Sequence, residues 1–279
     1  MVISEPTTRH VFLAWLRHGT AHAALGADDD LTRVVNALRA ARPDIQVHVR
    51  GDAAFGVPWM YEVCENSTLS YTTFGFSTNE RLKKIAQPLL DQAVQRYEQT
   101  HQKQRLFMAF AYRAGSWGRD RTVAAKAECH AAGTNLRFVV TNLPTCDERQ
   151  AESRYDDYVQ RGESEHRMDE LKGAGLGGRP ATNGLHAGRL SCHRFVANFW
   201  RLLLHAAAYN LLNALRDHED VPRELRVAQP QTWRSRVIKV AALVVQTTRR
   251  VVVRLAAQWP HWEDYLAVSR RALVPGPSS

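Results

Sequence analysis

Tyr158, Arg161, Glu165 and Lys172 stand in the stretch YVQRGESEHRMDELK, at offsets of three, seven and fourteen residues from the tyrosine. At 3.6 residues per turn these offsets fall within an arc of roughly 60°, so on a helix a phenol, two cations and a carboxylate share one face. Such a stripe raises the question of a shared purpose for the four residues. The same face also suits ordinary surface charge pairing, since Arg161 and Glu165 are four residues apart. A second carboxylate is placed by a different pattern. In DIQVHVRGD, Ile45, Val47 and Val49 alternate with Gln46, His48 and Arg50, which predicts a strand with one buried face. Gly51 breaks that strand and Asp52 emerges at its carboxyl end, where open α/β sheets place ligands. An Asp beside a glycine is also a turn former, and from this window alone the turn is the better reading.

The elements that must position these residues follow from the rest of the chain. VFLAWLRHG (Val11 to Gly19) predicts a strand ending at a glycine turn. Asp28, Asp29 and Asp30 precede Leu31, Val34, Val35 and Leu38 at helical spacing, and read as an N-cap and dipole-favoured first turn with Pro43 at the exit. VPWMYEVCEN predicts a short helix with Pro58 in its first turn, and LSYTTFGFST a strand. ERLKKIAQPLLDQAVQRYEQTHQKQ predicts a helix kinked at Pro88. LFMAFAYR, DRTVAAKAE and LRFVVTNL predict three strands with turns at Gly115, Gly118 and Gly133; Trp117 among them is either packing or a base-stacking platform. A helix then runs from about Asp147 to Lys172 and stops at GAGLGGRP. SCHRFVANFWRLLLHAAAYNLLNALRD is apolar around most of its circumference, which predicts a buried helix with His193, Trp200, His205 and Tyr209 as core or core-edge residues. VIKVAALVV and RRVVVRLAA predict two short strands, or a strand and a helix.

Composition bounds the partners. The 279 residues carry 37 Lys and Arg against 28 Asp and Glu, a formal charge of +9, which favours a polyanionic partner. The excess is uneven: from Arg226 to Gln258 there are Arg226, Arg234, Arg236, Lys239, Arg249, Arg250 and Arg254 and no acid. Basic strands of this kind either follow a phosphate backbone or protect a sheet edge by charge. Cys64, Cys129, Cys146 and Cys192 are too scattered for a zinc cluster or a disulfide framework, so reduced thiols are expected. The opening MVISEPTTRH is no secretory leader, and the long apolar helix is interrupted by Asn198, Arg201, His205, Asn210 and Asn213. A cytoplasmic protein outside the membrane is the expectation.

The spacing of Tyr158, Arg161, Glu165 and Lys172 resembles the Y-R-E-K signature of a group of bacterial insertion-sequence transposases with a DDE catalytic domain. LRHGTAHAALGADDD, VRGDAAFGVPWMYEVCE, SWGRDRTVAAKAE, FVVTNL and CHRFVANFWRLLLHAAAYNLL resemble the same family in the same order. The resemblance implies an α/β, ribonuclease-H-like fold: a mixed sheet flanked by helices, with a β-rich insertion (105–143) before the helix of the catalytic Glu. It implies a catalytic domain over 11–260 and a tail over 261–279. It implies Asp52 and Glu165 as catalytic metal ligands for Mg²⁺ or Mn²⁺, with two ions in a complete site. Tyr158, Arg161 and Lys172 would bind DNA phosphates, joined by Arg249, Arg250 and Arg254 from the basic segment. The implied partners are insertion-sequence ends and target DNA, with homo-oligomers or mixed oligomers with a full-length transposase. The family's first Asp belongs on a strand upstream of Val11, so the expectation is an N-terminally truncated chain that does not cleave DNA by itself. A DNA-binding remnant without catalysis is the alternative.

Overall fold

The structure is a computed structural model that describes residues 1–144, 147–162, 170–171, 192–256 and 258–272. Its chain falls into two units, Arg17–Glu163 with Met1, and Val2–Leu16 with Ser164–Ser279. Strands β1 (Val2–Ser4) and β2 (Val11–Ala14) open the chain and belong to the second unit.

In the first unit, helix α1 (Ala27–Ala41) begins behind Gly26, a residue at φ 68°, and not behind an aspartate cap. Asp28, Asp29 and Asp30 instead occupy its first turn, where the helix dipole favours acids. Strand β3 covers only His48–Gly51 of the predicted strand, because the Ile45 N–H turns back to the Arg42 carbonyl at 3.1 Å. Helix α2 (Pro58–Asn66) has its proline in the first turn, followed by strand β4 (Ser70–Phe76). Helix α3 (Glu80–Thr100) runs as one element through Pro88 and ends where His101 turns left-handed at φ 53°. Strands β5 (Gln104–Tyr112), β6 (Arg121–His130) and β7 (Gly133–Thr141) follow, and helix α4 (Glu148–Val159) starts at Asp147, whose side chain accepts from the Gln150 N–H.

These strands form one sheet in the order β3-β4-β7-β6-β5, with β3 parallel to β4 and every other pair antiparallel. The three-stranded block β5–β7 therefore extends a parallel pair through the free side of β4. Period-two alternation assigns the two faces. Phe107, Ala124 and Val139 meet Ala151 and Tyr155 of α4, whereas Leu106, Ala127 and Cys129 meet Ala93 of α3. Covered on both sides, β6 is buried from Arg121 to Cys129, and its three alanines let both helices approach closely.

In the second unit, β1 and β2 pair antiparallel, and helix α5 (Phe195–Arg216) fixes them through side-chain amides. Asn210 both accepts from the Val11 N–H and donates to the Val11 carbonyl at 2.8 Å, and Asn213 donates to the Arg9 carbonyl. Leu212, Val221, Leu225, Trp233, Val237 and Val268 form a second cluster, with the Trp233 indole donating to the Leu225 carbonyl. Strands β8 (Ala242–Gln246) and β9 (Val251–Leu255) make an antiparallel hairpin, and helix Trp262–Ala272 closes the described chain. Among the described residues no helix is long and apolar enough to cross a membrane.

The expectation that α5 is buried all round does not hold. Val196, Trp200, Leu204 and Leu211 are exposed, while Ala206, Tyr209, Leu212, Asn213 and Arg216 are buried. Trp117 is packed, 5% exposed and in ring contact with Tyr61, Phe76 and Tyr112, so it is no base-stacking platform.

Candidate active site

Asp52 stands where the strand pattern placed it, directly after β3 at the carboxyl end of the parallel pair. Its Oδ1 accepts from the Ala54 N–H at 2.9 Å and caps a short 3-10 turn, Ala53–Phe55. The turn reading and the strand-end reading are thus both true of one residue. Asp52 is exposed.

Two glycines bring this turn flat against the end of β4. A Cβ on Gly56 would lie 2.8 Å from the Gly75 carbonyl, and one on Gly75 would lie 3.1 Å from the Ala53 N and 2.5 Å from the Tyr158 hydroxyl. Both distances to backbone are tighter than ordinary packing, so the absence of side chains is what lets the Asp52 turn, β4 and Tyr158 converge. Arg161 lies next to Tyr158, its guanidinium 5.4 Å from the ring centroid.

Helix α4 is held over this strand end by a clamp that sequence reading missed. Arg50 grips Asp157 with two hydrogen bonds, Nη2 to Oδ1 at 2.5 Å and Nε to Oδ2 at 3.2 Å, and His48 Nε2 lies 3.2 Å from Asp157 Oδ2. Burial holds the His48 imidazole below its usual range, opposed by Asp157 and reinforced by the neighbouring Arg50 charge. Arg105 pairs with Asp156 at 2.7 Å on the same helix. Arg50 and Asp157 are 107 residues apart, and no local pattern links them.

Asp52, Tyr158 and Arg161 are therefore brought to one end of the sheet, Tyr158 by direct approach to Gly75 and Arg161 by its stacking on Tyr158. Glu165, Lys172 and the GAGLGGRP stretch lie outside the described residues. Helix α4 itself ends at Val159, where Gln160 closes it with N–H bonds to the Asp156 and Tyr158 carbonyls; Gly162, a weak helix former, follows two residues later. The remaining candidates, Arg249, Arg250 and Arg254, are exposed on the β8–β9 hairpin, where the Thr247 N–H bonds to the Arg250 carbonyl at 2.8 Å. Arg226 of the same basic stretch is engaged, its guanidinium donating to the Val221 and Glu219 carbonyls.

A mixed sheet with an acid at the carboxyl end of its parallel pair, a β-rich block added beside it and a helix carrying Tyr and Arg over that end is a ribonuclease-H-like arrangement. The transposase DDE domain, group 1, matches residues 1–273, and the chain belongs to that family. Comparison with curated proteins gives no match. Its membership implies transposition, DNA as partner and divalent metal ions as cofactor. Asp52 fits the part of one hard-oxygen ligand, exposed and with one oxygen held by a backbone N–H. Among the described residues there is no group of three His, Cys, Asp or Glu able to hold a metal.

Proposed function

We propose that this chain serves the movement of a bacterial insertion sequence, by metal-dependent cleavage of DNA at the element's ends and transfer of the cut strands to a target, in the cytoplasm. The observation that carries the reading is the convergence of the Asp52 turn and the Tyr158 hydroxyl across Gly75, in a chain of the transposase family. Asp52 and Glu165 would hold the metal ions, which polarise the scissile phosphate and lower the pKa of the attacking hydroxyl. The Ala54 N–H fixes the Asp52 carboxylate in one orientation and leaves its other oxygen for a ligand. Tyr158, with its ring carrying Arg161, offers a phenol and a guanidinium to the phosphates beside the scissile bond, and Lys172 serves a neighbouring phosphate. Arg249 and Arg250 at the hairpin tip, with Arg254 on β9, meet the backbone further along.

The test measures strand cleavage and binding of a duplex carrying the element's terminal sequence, with Mg²⁺ or Mn²⁺. Asp52→Asn and Glu165→Gln should each lower cleavage at least about a hundredfold, a loss of roughly 2.7 kcal/mol or more in transition-state stabilisation, and leave DNA affinity nearly unchanged. Cleavage that survives Asp52→Asn would overturn the assignment. Binding without cleavage in either metal would favour a non-catalytic DNA-binding role.

A further inference from the structure

The buried face of α5 holds a charged network inside the second unit. Tyr209 is fully buried, and its hydroxyl donates to Glu170 Oε2 at 2.7 Å. The Arg216 guanidinium, 1% exposed, approaches the same carboxylate oxygen at 3.5 Å. Its Nη1 also donates to Asn213 Oδ1 at 3.1 Å and its Nη2 to the Ala228 carbonyl, while Asn213 donates to the Arg9 carbonyl at 3.0 Å. Burial pushes the Arg216 guanidinium below its ordinary value, opposed by the Glu170 charge. Beside Glu170, Leu171 is packed among Val11, Ala14, Ala206 and Tyr209. Burying such a pair is a poor way to gain stability, because desolvation offsets most of the attraction and an apolar side chain fills the space as well. What two donors converging on one carboxylate oxygen do supply is a fixed position for the chain that carries it.

We propose that Tyr209 and Arg216 are positioning residues for Glu165 and Lys172, acting through Glu170. The proposal rests on the transposase reading, in which Glu165 is a metal ligand and Lys172 meets a phosphate. Glu170 stands five residues after Glu165 and two before Lys172, and Glu170 and Leu171 are helical. On the helix that the sequence predicts over this stretch, Glu170 is turned by about 140° from Glu165 and about 200° from Lys172. A grip on Glu170 therefore leaves the side with Glu165 and Lys172 clear for metal and phosphate. Five residues of helix rise only about 7.5 Å, so a rotation or slip at Glu170 is passed on to Glu165 with little loss. A metal ligand has to be held within roughly 0.5 Å of its working place, which loose apolar packing at position 170 does not ensure.

Tyr209→Phe tests this in the whole chain, since it removes one hydroxyl and keeps the ring that packs on Leu171. With the duplex carrying the element's terminal sequence, it should lower kcat about tenfold and raise the half-saturating Mg²⁺ concentration at least about threefold, with DNA affinity unchanged. A bond that only stabilises the fold would lower the urea midpoint and leave the Mg²⁺ dependence where it is, and that result overturns the proposal. Glu170→Gln should act in the same direction, and adding Tyr209→Phe to it should change kcat by less than about twofold, because Tyr209 works through Glu170. Multiplying losses would overturn it too. Cleavage lost in Glu165→Gln but untouched in Tyr209→Phe keeps the transposase reading and sinks this one. Should the wild-type chain not cleave, hydrogen exchange still decides: the Glu170 and Leu171 amides should exchange at least about tenfold faster in Tyr209→Phe, with those of Trp233 and Val237 unchanged. Unaltered exchange at Glu170 and Leu171 would show that Tyr209 anchors nothing there.

Discussion

At the scale of single residues, the buried charges of the first unit decide how the sheet answers to acid. Glu128 on β6 is almost fully enclosed and receives a hydrogen bond from Lys126 at 2.6 Å and an ion pair from Lys103. Lys126 in turn lies 5.2 Å from the Tyr155 ring, so the pair sits under helix α4. The hydrogen bonds from Lys103 and Lys126 outweigh burial and hold the Glu128 carboxyl down at about 2. A carboxyl depressed in the folded chain adds stability at pH values above its unfolded pKa and loses it as pH falls towards the folded value. The window is therefore pH 4.5 down to about 2. Glu128→Gln should cost about 3 kcal/mol at pH 7, because Lys126 loses its anion, and should remove most of the extra acid sensitivity in that window. Urea denaturation of both proteins across pH 2 to 7 measures the difference. Parallel curves for the two would show that the lysines do not hold this carboxylate.

At the scale of elements, the strand end is built by glycines, and the two that matter should respond differently. Gly56 meets the Gly75 carbonyl, a backbone atom that cannot swing aside, whereas Gly75 meets the tip of the Tyr158 side chain and, less tightly, the Ala53 N. Gly56→Ala should destabilise the chain by about 1 to 3 kcal/mol, while Gly75→Ala should cost less and displace the Tyr158 hydroxyl. Thermal unfolding together with the cleavage assay separates them, and equal unfolding shifts would refute the backbone argument. Sequence alternation made most of these elements legible: Val49, Gly51 and Asp52 fall as the pattern requires, and so do β5, β6 and β7. It could not show where β3 begins, because Ile45 and Val47 keep the alternation while a turn bond to Arg42 keeps Ile45 out of the sheet. The Arg50–Asp157 clamp was invisible for the opposite reason, since a contact 107 residues long leaves no local period. Helix α5 shows a third limit. An all-round apolar pattern says that each side can be covered, and only packing says which one is.

At the scale of the whole molecule, net charge is a poor count of the cations free to meet DNA. The acid-free stretch from Arg226 to Gln258 suggested seven, but Arg226 donates to backbone carbonyls and Arg236 lies 3.7 Å from Asp264. Arg234, Lys239, Arg249, Arg250 and Arg254 remain exposed, the last three grouped on the β8–β9 hairpin, a pair of strands with Leu243, Val244, Val251 and Val253 open on its two faces. The turn bond from Thr247 to Arg250 fixes the tip that carries two of the three. If the hairpin follows a phosphate backbone, each contact releases counterions and adds about 0.9 to the slope of log affinity against log salt on duplex DNA. Replacing all three arginines with glutamine should therefore reduce that slope by about 2 to 3 and weaken binding most at low salt. A control with Lys83, Lys84 and Arg96 of α3 changed to glutamine removes the same charge from another surface and should alter the slope by less than about 1. Fluorescence anisotropy between 50 and 200 mM salt gives both slopes. Equal losses in the two triple variants would mean that the chain holds DNA by its overall charge and that the hairpin makes no contact of its own.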